Sequence, residues 1–126
     1  LRLLEGAYSL IVMTREAMIA CRDPLGIRPL VMGKIGDATL FASETVAFDV
    51  VGADFVREVE PGELVRVDFD GNVTSLRPFG SYRPRPCIFE HVYFSRPDSM
   101  FAGRSVYEAR KAIGAELARE APVEAD

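Results

Sequence analysis

The chain has 126 residues, 48% of them apolar and 27% charged, with a formal net charge of −4. That length allows a domain with its own core, while the surplus of acid excludes a general nucleic-acid binder, which needs positive charge to neutralise phosphates. The longest apolar runs, such as Tyr8–Met13 and Ala38–Ala42, fall far short of the roughly 20 residues of a membrane helix, and no secretory leader pattern opens the sequence.

Leu1, Leu3 and Leu4 followed by Gly6 read as the last turn of a helix closed by glycine. Ala7–Thr14 and Ala17–Cys21 are rich in β-formers and flank the polar pair Arg15-Glu16, which predicts a hairpin. Asp23-Pro24-Leu25-Gly26 predicts a tight turn: Pro24 presets φ, the Asp23 carboxylate can accept from the backbone ahead, and Gly26 tolerates positive φ. Leu30–Gly33 and Thr39–Ala42 make a second hairpin around Gly36-Asp37. Ser43 is expected to cap a short helix over Glu44–Val51 that ends at Gly52. Phe55–Val59 and Leu64–Phe69 read as a third hairpin about Glu60-Pro61-Gly62-Glu63, and Val73–Leu76 as a further strand after Asp70-Gly71.

Composition changes at Arg77. Three prolines and three arginines fall within the ten residues Arg77–Pro86, which predicts an extended linker. Ile88–Phe94 reads as an aromatic strand, Arg96–Ser99 as a loop, and 105–120 as a helix with Val106, Ala109, Ile113 and Leu117 on one stripe. Little chain follows Pro122 to cover that stripe. The sequence therefore reads as a strand-rich α+β unit plus the opening of a second unit, cut at both ends.

The residues alone offer little chemistry. His91 alternates with Phe89 and Tyr93 and reads as packed among aromatics. The carboxylate pairs Glu60/Glu63 and Asp68/Asp70 flank turns and read as solvated. Cys21 and Cys87 are the only cysteines; they lack CxxC spacing, so neither a zinc site nor a disulfide framework is indicated, and a reduced cytoplasmic setting is expected. No glycine-rich phosphate loop is present.

Three stretches add a resemblance. Arg22-Asp23-Pro24-Leu25-Gly26-Ile27-Arg28-Pro29-Leu30 resembles the RDPxGIRPL turn of class II glutamine amidotransferases, a turn that asparagine synthetases also carry. Ala42-Ser43-Glu44-Thr45 with Ala47-Phe48-Asp49, and Glu60-Pro61-Gly62-Glu63, narrow the match. Phe89-Glu90-His91-Val92-Tyr93-Phe94-Ser95-Arg96-Pro97-Asp98-Ser99 resembles the FEYVYFARPDS segment of the amidophosphoribosyltransferase family. The similarity runs on through Val106–Arg110 to Pro122–Asp126.

The resemblance implies that residues 1–80 are the C-terminal half of an N-terminal-nucleophile β-sandwich, the glutaminase. Residues 81–126 would be the linker and the first strand and helix of an α/β phosphoribosyltransferase domain. Such enzymes release ammonia from glutamine and pass it to phosphoribosyl pyrophosphate, with magnesium, making 5-phosphoribosylamine at the start of purine synthesis. They are expected to be homo-oligomers, dimers or tetramers. The nucleophilic cysteine, the glutamine clamp and the ribose-diphosphate loop have no counterpart in these residues, so no catalytic residue is assigned and the segment alone is expected to be inactive. Tyr93 matches a tyrosine lining the ammonia passage, with a core tyrosine as the plainer reading. Cys87 matches the first ligand of an iron–sulfur cluster in those members that carry one. Arg28 is expected to meet a buried acid such as Glu44, and the turn at Pro24 and Gly26 to be scaffold. The alternatives are an asparagine-synthetase-type amidotransferase and a noncatalytic interaction module.

Overall fold

In the computed structural model, residues 3–80 and 82–124 are described. Leu1-Arg2 and Ala125-Asp126, the last residues of the family match, lie outside them; over 3–6 the helix end expected before Gly6 does not form, the chain making only a turn and a bend there with Gly6 at a φ of 101°.

Two antiparallel sheets face each other. The first takes the strands β1 (Ser9–Met13), β2 (Ala17–Arg22), β6 (Leu64–Asp68) and β7 (Val73–Leu76), ordered β1-β2-β6-β7. The second has β3 (Val31–Ile35), β4 (Ala38–Ala42) and β5 (Asp54–Glu58), ordered β4-β3-β5. The predicted hairpins β1–β2 and β3–β4 both form, with Ser9 opposite Arg22 and Val31 opposite Ala42. The core lies between the sheets: Ala20, Val65 and Val67 from the first meet Leu30, Met32 and Val59 from the second, with Phe41 alongside. Removing such side chains from water is worth about 1.5–3 kcal/mol for each large one. This is the β-sandwich that the family resemblance implies.

The third predicted hairpin does not form. β5 pairs with β3, and β6 pairs with β2 and β7, so the turn at 60–63 carries the chain from one sheet to the other. The Val59 amide donates to Leu30 and the Gly62 amide to Asp23, and these bonds draw the two strands apart.

The helix α1 (Val46–Val51) closes on Gly52, which takes a left-handed φ of 68°. It begins two residues later than Ser43 would allow, and no side chain caps it. The Thr45 hydroxyl is occupied instead by the Met100 amide at 2.9 Å. α1 presses Phe48 under β3, where Gly33 is required: a Cβ there would stand 2.8 Å from the Asp54 carbonyl and 2.9 Å from the Phe48 ring.

Ile88–Phe94 was expected as a strand. Residues Glu90–Phe94 instead form a single π-helical turn, its closing bond running from the Ser95 amide to the Glu90 carbonyl at 3.2 Å. Isolated π turns are rare and depend on outside support, which Glu90, Ser95 and Arg110 supply here. After the two-residue strands β8 (Met100–Phe101) and β9 (Arg104–Ser105), α2 runs over Val106–Glu120. Ser105 caps it, accepting from the Glu108 amide at 3.3 Å, and Val106 is fully buried, while Ile113 and Leu117 are exposed as the sequence suggested. No described helix is long and apolar enough to cross a membrane.

Candidate functional site

The turn after β2 is built around two buried charged residues. Asp23 is inaccessible to solvent; its carboxylate accepts from the Leu25 amide at 3.0 Å and the Ile27 amide at 3.1 Å, while its carbonyl accepts from Gly26 and Gly62. Arg22 spreads its guanidinium over three carbonyls, those of Arg28, Val59 and Gly26, at 2.8, 2.8 and 3.2 Å, and stands 3.5 Å from Glu58. A planar fork suits several oxygens at fixed angles. Apart from the Arg22–Glu58 contact, the Arg22 and Asp23 side chains are spent on backbone groups, in keeping with the scaffold role expected of the turn at Pro24 and Gly26.

Glu63 departs from the expected solvated turn residue. It is 1% exposed and holds a bidentate pair with Arg57 at 2.7 and 2.8 Å, the Ser75 hydroxyl at 2.6 Å and the Glu60 amide at 2.8 Å. Burial pushes its carboxyl up, but these hydrogen bonds and the Arg57 charge outweigh that and hold it at about 2. The node ties β5 in one sheet to β7 in the other. One signal was open to reading, an arginine six residues before a glutamate with a serine beyond, but no local pattern shows that they converge. Asp68 and Asp70 do sit on an exposed turn, where Asp68 accepts from the Asp70 and Asn72 amides.

A second cluster joins the sandwich to the residues beyond the linker. The Arg85 amide donates to the Leu25 carbonyl at 2.7 Å and the Cys87 amide to Ile27 at 3.0 Å, pinning the proline-rich segment along the 23–28 turn. Glu44 accepts from the Ser99 hydroxyl and the Arg96 amide, both at 2.7 Å. Because Glu44 is so engaged, the expected Arg28–Glu44 pair is absent. Arg28 turns instead to Glu90, with nitrogen and oxygen 3.1 Å apart, and lies over the Phe94 ring at 4.4 Å. Glu90 is 2% exposed and also accepts from the Ser95 hydroxyl at 2.7 Å. From α2, Arg110 donates to the carbonyls of His91 and Ser95, both at 2.7 Å. A small cavity of about 270 Å³ opens beside this cluster, with Arg28, Glu44, Glu90 and Phe94 in its wall.

Tyr93 rides on the π turn and is 76% exposed within this segment. Its ring meets Phe94 edge-on at 5.7 Å, and Phe89, Val92 and Phe94 are also exposed around it, making an apolar, aromatic face. His91 is packed as expected, though on a helical turn rather than a strand, with its ring 5.1 Å from Phe101.

Cys87 is half-buried and free, and Cys21 is buried in β2. Burial pushes the Cys21 thiol up, so it stays protonated and is a poor nucleophile. Among the described residues no group of three histidine, cysteine or acidic side chains is placed to hold a metal ion. One thiolate is not a cluster site, which takes four ligands, so the residues present do not by themselves fit an iron–sulfur cluster or a magnesium ion.

The model of a glutamine amidotransferase domain family matches residues 1–50, which hold β1 to β4, the Asp23 turn and most of α1. A solved structure of glutamine phosphoribosylpyrophosphate amidotransferase from B. subtilis, complexed with ADP and GMP, superimposes with a TM-score of 0.94 at 48% identity, over 99% of this chain and 27% of that one. Among curated proteins, amidophosphoribosyltransferase of Mycobacterium tuberculosis is 54% identical over 97% of this chain and 23% of its own length. The Rhizobium etli protein of the same name is 48% identical over 100% of this chain and 26% of its own length. The chain is homologous over its whole length to one segment of the amidophosphoribosyltransferases, and spans about a quarter of the curated relatives it matches.

Proposed function

We propose that this chain is the connecting segment of a glutamine-dependent amidophosphoribosyltransferase. It completes the glutaminase sandwich over residues 1–80, and over 81–126 begins the domain that uses phosphoribosyl pyrophosphate. The full-length polypeptide makes 5-phosphoribosylamine, the first step of purine synthesis, acting with magnesium as a cytoplasmic homo-oligomer. Two free cysteines suit a reducing compartment. The segment alone catalyses neither half-reaction, because its one buried thiol is neither terminal nor ionised.

The observation that carries this reading is the placement of Tyr93. It stands 76% exposed on an aromatic face that is locked to the sandwich through Arg28 and Glu44. An aromatic wall excludes water and so keeps ammonia unprotonated between a glutaminase and its acceptor. Within the same reading Cys87 offers one thiolate to a cluster completed by ligands outside this chain, and iron with acid-labile sulfide in anaerobically purified full-length protein would be its mark. The test of the function as a whole is direct. Full-length polypeptide carrying this segment should form phosphoribosylamine from glutamine and phosphoribosyl pyrophosphate, while the 126-residue chain should hydrolyse no glutamine. Glutamine hydrolysis by the isolated chain would refute the assignment.

A further inference from the structure

The π turn that carries Tyr93 is braced by side chains from outside it as well as by local backbone hydrogen bonds. The Ser95 amide donates to the Glu90 carbonyl at 3.2 Å, and side-chain supports arrive from three directions. Glu90 inside the turn accepts from Ser95, Arg110 reaches from α2 to two of its carbonyls, and Arg28 comes from the 22–30 turn of the sandwich. Only Arg28 of these crosses from the sandwich to the turn.

The Arg28–Glu90 contact is unusual in form. The 3.1 Å separation brings the charges together, yet the N–H is not aimed at the Glu90 oxygen, which is buried and has no hydrogen-bond partner. The attraction is therefore coulombic, and it does not fix a single angle. What fixes the guanidinium is its seat over Phe94 at 4.4 Å. Phe94 in turn touches both Phe89, at 6.1 Å, and Tyr93, at 5.7 Å. One arginine thus grips the turn at two points, the acid on its buried side and the ring on its exposed side. A rotation of the turn would break one grip or the other.

We propose that Arg28 and Glu90 form a latch that sets the orientation of the Tyr93–Phe94 face against the sandwich, acting as positioning residues for ammonia transfer. This rests on the reading of Tyr93 as part of an ammonia passage. Neither latch residue touches a reacting atom, so the latch governs how much ammonia arrives rather than how either reaction proceeds.

The experiment uses full-length polypeptide carrying this segment and measures three rates: glutamine hydrolysis, glutamine-dependent product formation, and product formation from added ammonia. Glu90→Gln keeps the shape and the Ser95 bond but removes the charge. Arg28→Lys keeps the charge but loses the flat seat over Phe94, so it is the milder variant should Glu90→Gln fold poorly. In each, glutamine consumed per product formed should rise by about threefold or more, while the ammonia-dependent rate stays within about twofold of wild type. The double variant should be no worse than the more affected single one, because both break the same latch. If Tyr93→Ala uncouples the enzyme while both latch variants remain coupled, the latch is overturned and the passage stands. If Tyr93→Ala itself leaves coupling intact, the passage reading fails and the latch falls with it. If the latch variants lose all three rates in parallel with a lower melting temperature, the pair is merely structural and the proposal is overturned.

Discussion

Glu44 and Ser99 lie 55 residues apart in the chain and share a 2.7 Å hydrogen bond. The same carboxylate oxygen takes the Arg96 amide at 2.7 Å, and the neighbouring Thr45 hydroxyl takes the Met100 amide at 2.9 Å. The start of α1 is thereby spent on holding the 95–100 loop rather than on capping its own helix, which explains why that helix is only six residues long and uncapped. Glu44→Ala should lower stability by about 1–3 kcal/mol, since it leaves the Ser99 hydroxyl and an amide without an acceptor. The urea midpoint of the chain measures this; Ser43→Ala, at an exposed side chain that caps nothing, should change it by less than about 0.5 kcal/mol. Equal losses at 43 and 44 would contradict the account.

Glu63 gives a pH dependence with a definite sign. Its carboxyl is lowered from 4.5 to about 2 in the folded chain, so the unfolded state binds the proton more readily. The stabilisation is fully present above pH 4.5 and is lost as pH falls through about 2. The shift corresponds to about 3 kcal/mol, read as the difference in urea stability between wild type and Glu63→Gln. That difference should be near its full value at pH 7 and shrink as the pH falls below 4.5. A difference that stays constant with pH would show that Glu63 acts by shape alone.

Gly26 and Gly36 separate backbone strain from crowding. Both have positive φ, 61° and 56°, but a Cβ at Gly26 would stand 2.6 Å from the Pro61 side chain, whereas at Gly36 it would meet nothing within 4 Å. Gly36→Ala should cost about 1 kcal/mol for the left-handed conformation. Gly26→Ala should cost about 1–3 kcal/mol more, because Pro61 must move. Equal costs at the two positions in thermal unfolding would mean that the 23–26 and 60–63 turns do not press on one another.

Much of the sandwich was legible because its signals are local. The β1–β2 and β3–β4 hairpins follow from β-formers around short polar turns, and the Asp23–Gly26 turn from the backbone chemistry of Asp, Pro and Gly. α2 was legible from its apolar stripe, while its Ser105 cap emerged only in the structure. The parts that were not legible depend on distant partners. The 60–63 turn has the composition of a hairpin, and only the bonds from Val59 to Leu30 and from Gly62 to Asp23 pull its flanks into different sheets. Phe89, His91 and Tyr93 alternate as a strand would, yet Arg28, Ser95 and Arg110 wind the segment into a π turn. One sequence signal pointed that way: Glu90, a lone charge within an aromatic run, needs a buried partner. The partner could not be chosen from sequence, and Arg28 proves to face Glu90 rather than Glu44.

The central claim is tested most directly by replacing Tyr93. At 76% exposure in this segment its truncation removes little packing here, so Tyr93→Ala should change the melting temperature of the 126-residue chain by no more than about 2 °C. The deciding measurement is glutamine hydrolysed per phosphoribosylamine formed. Tyr93→Ala should raise this ratio by about threefold or more over wild type. An unaltered ratio in a well-folded variant would contradict the placement of Tyr93 on the path of ammonia.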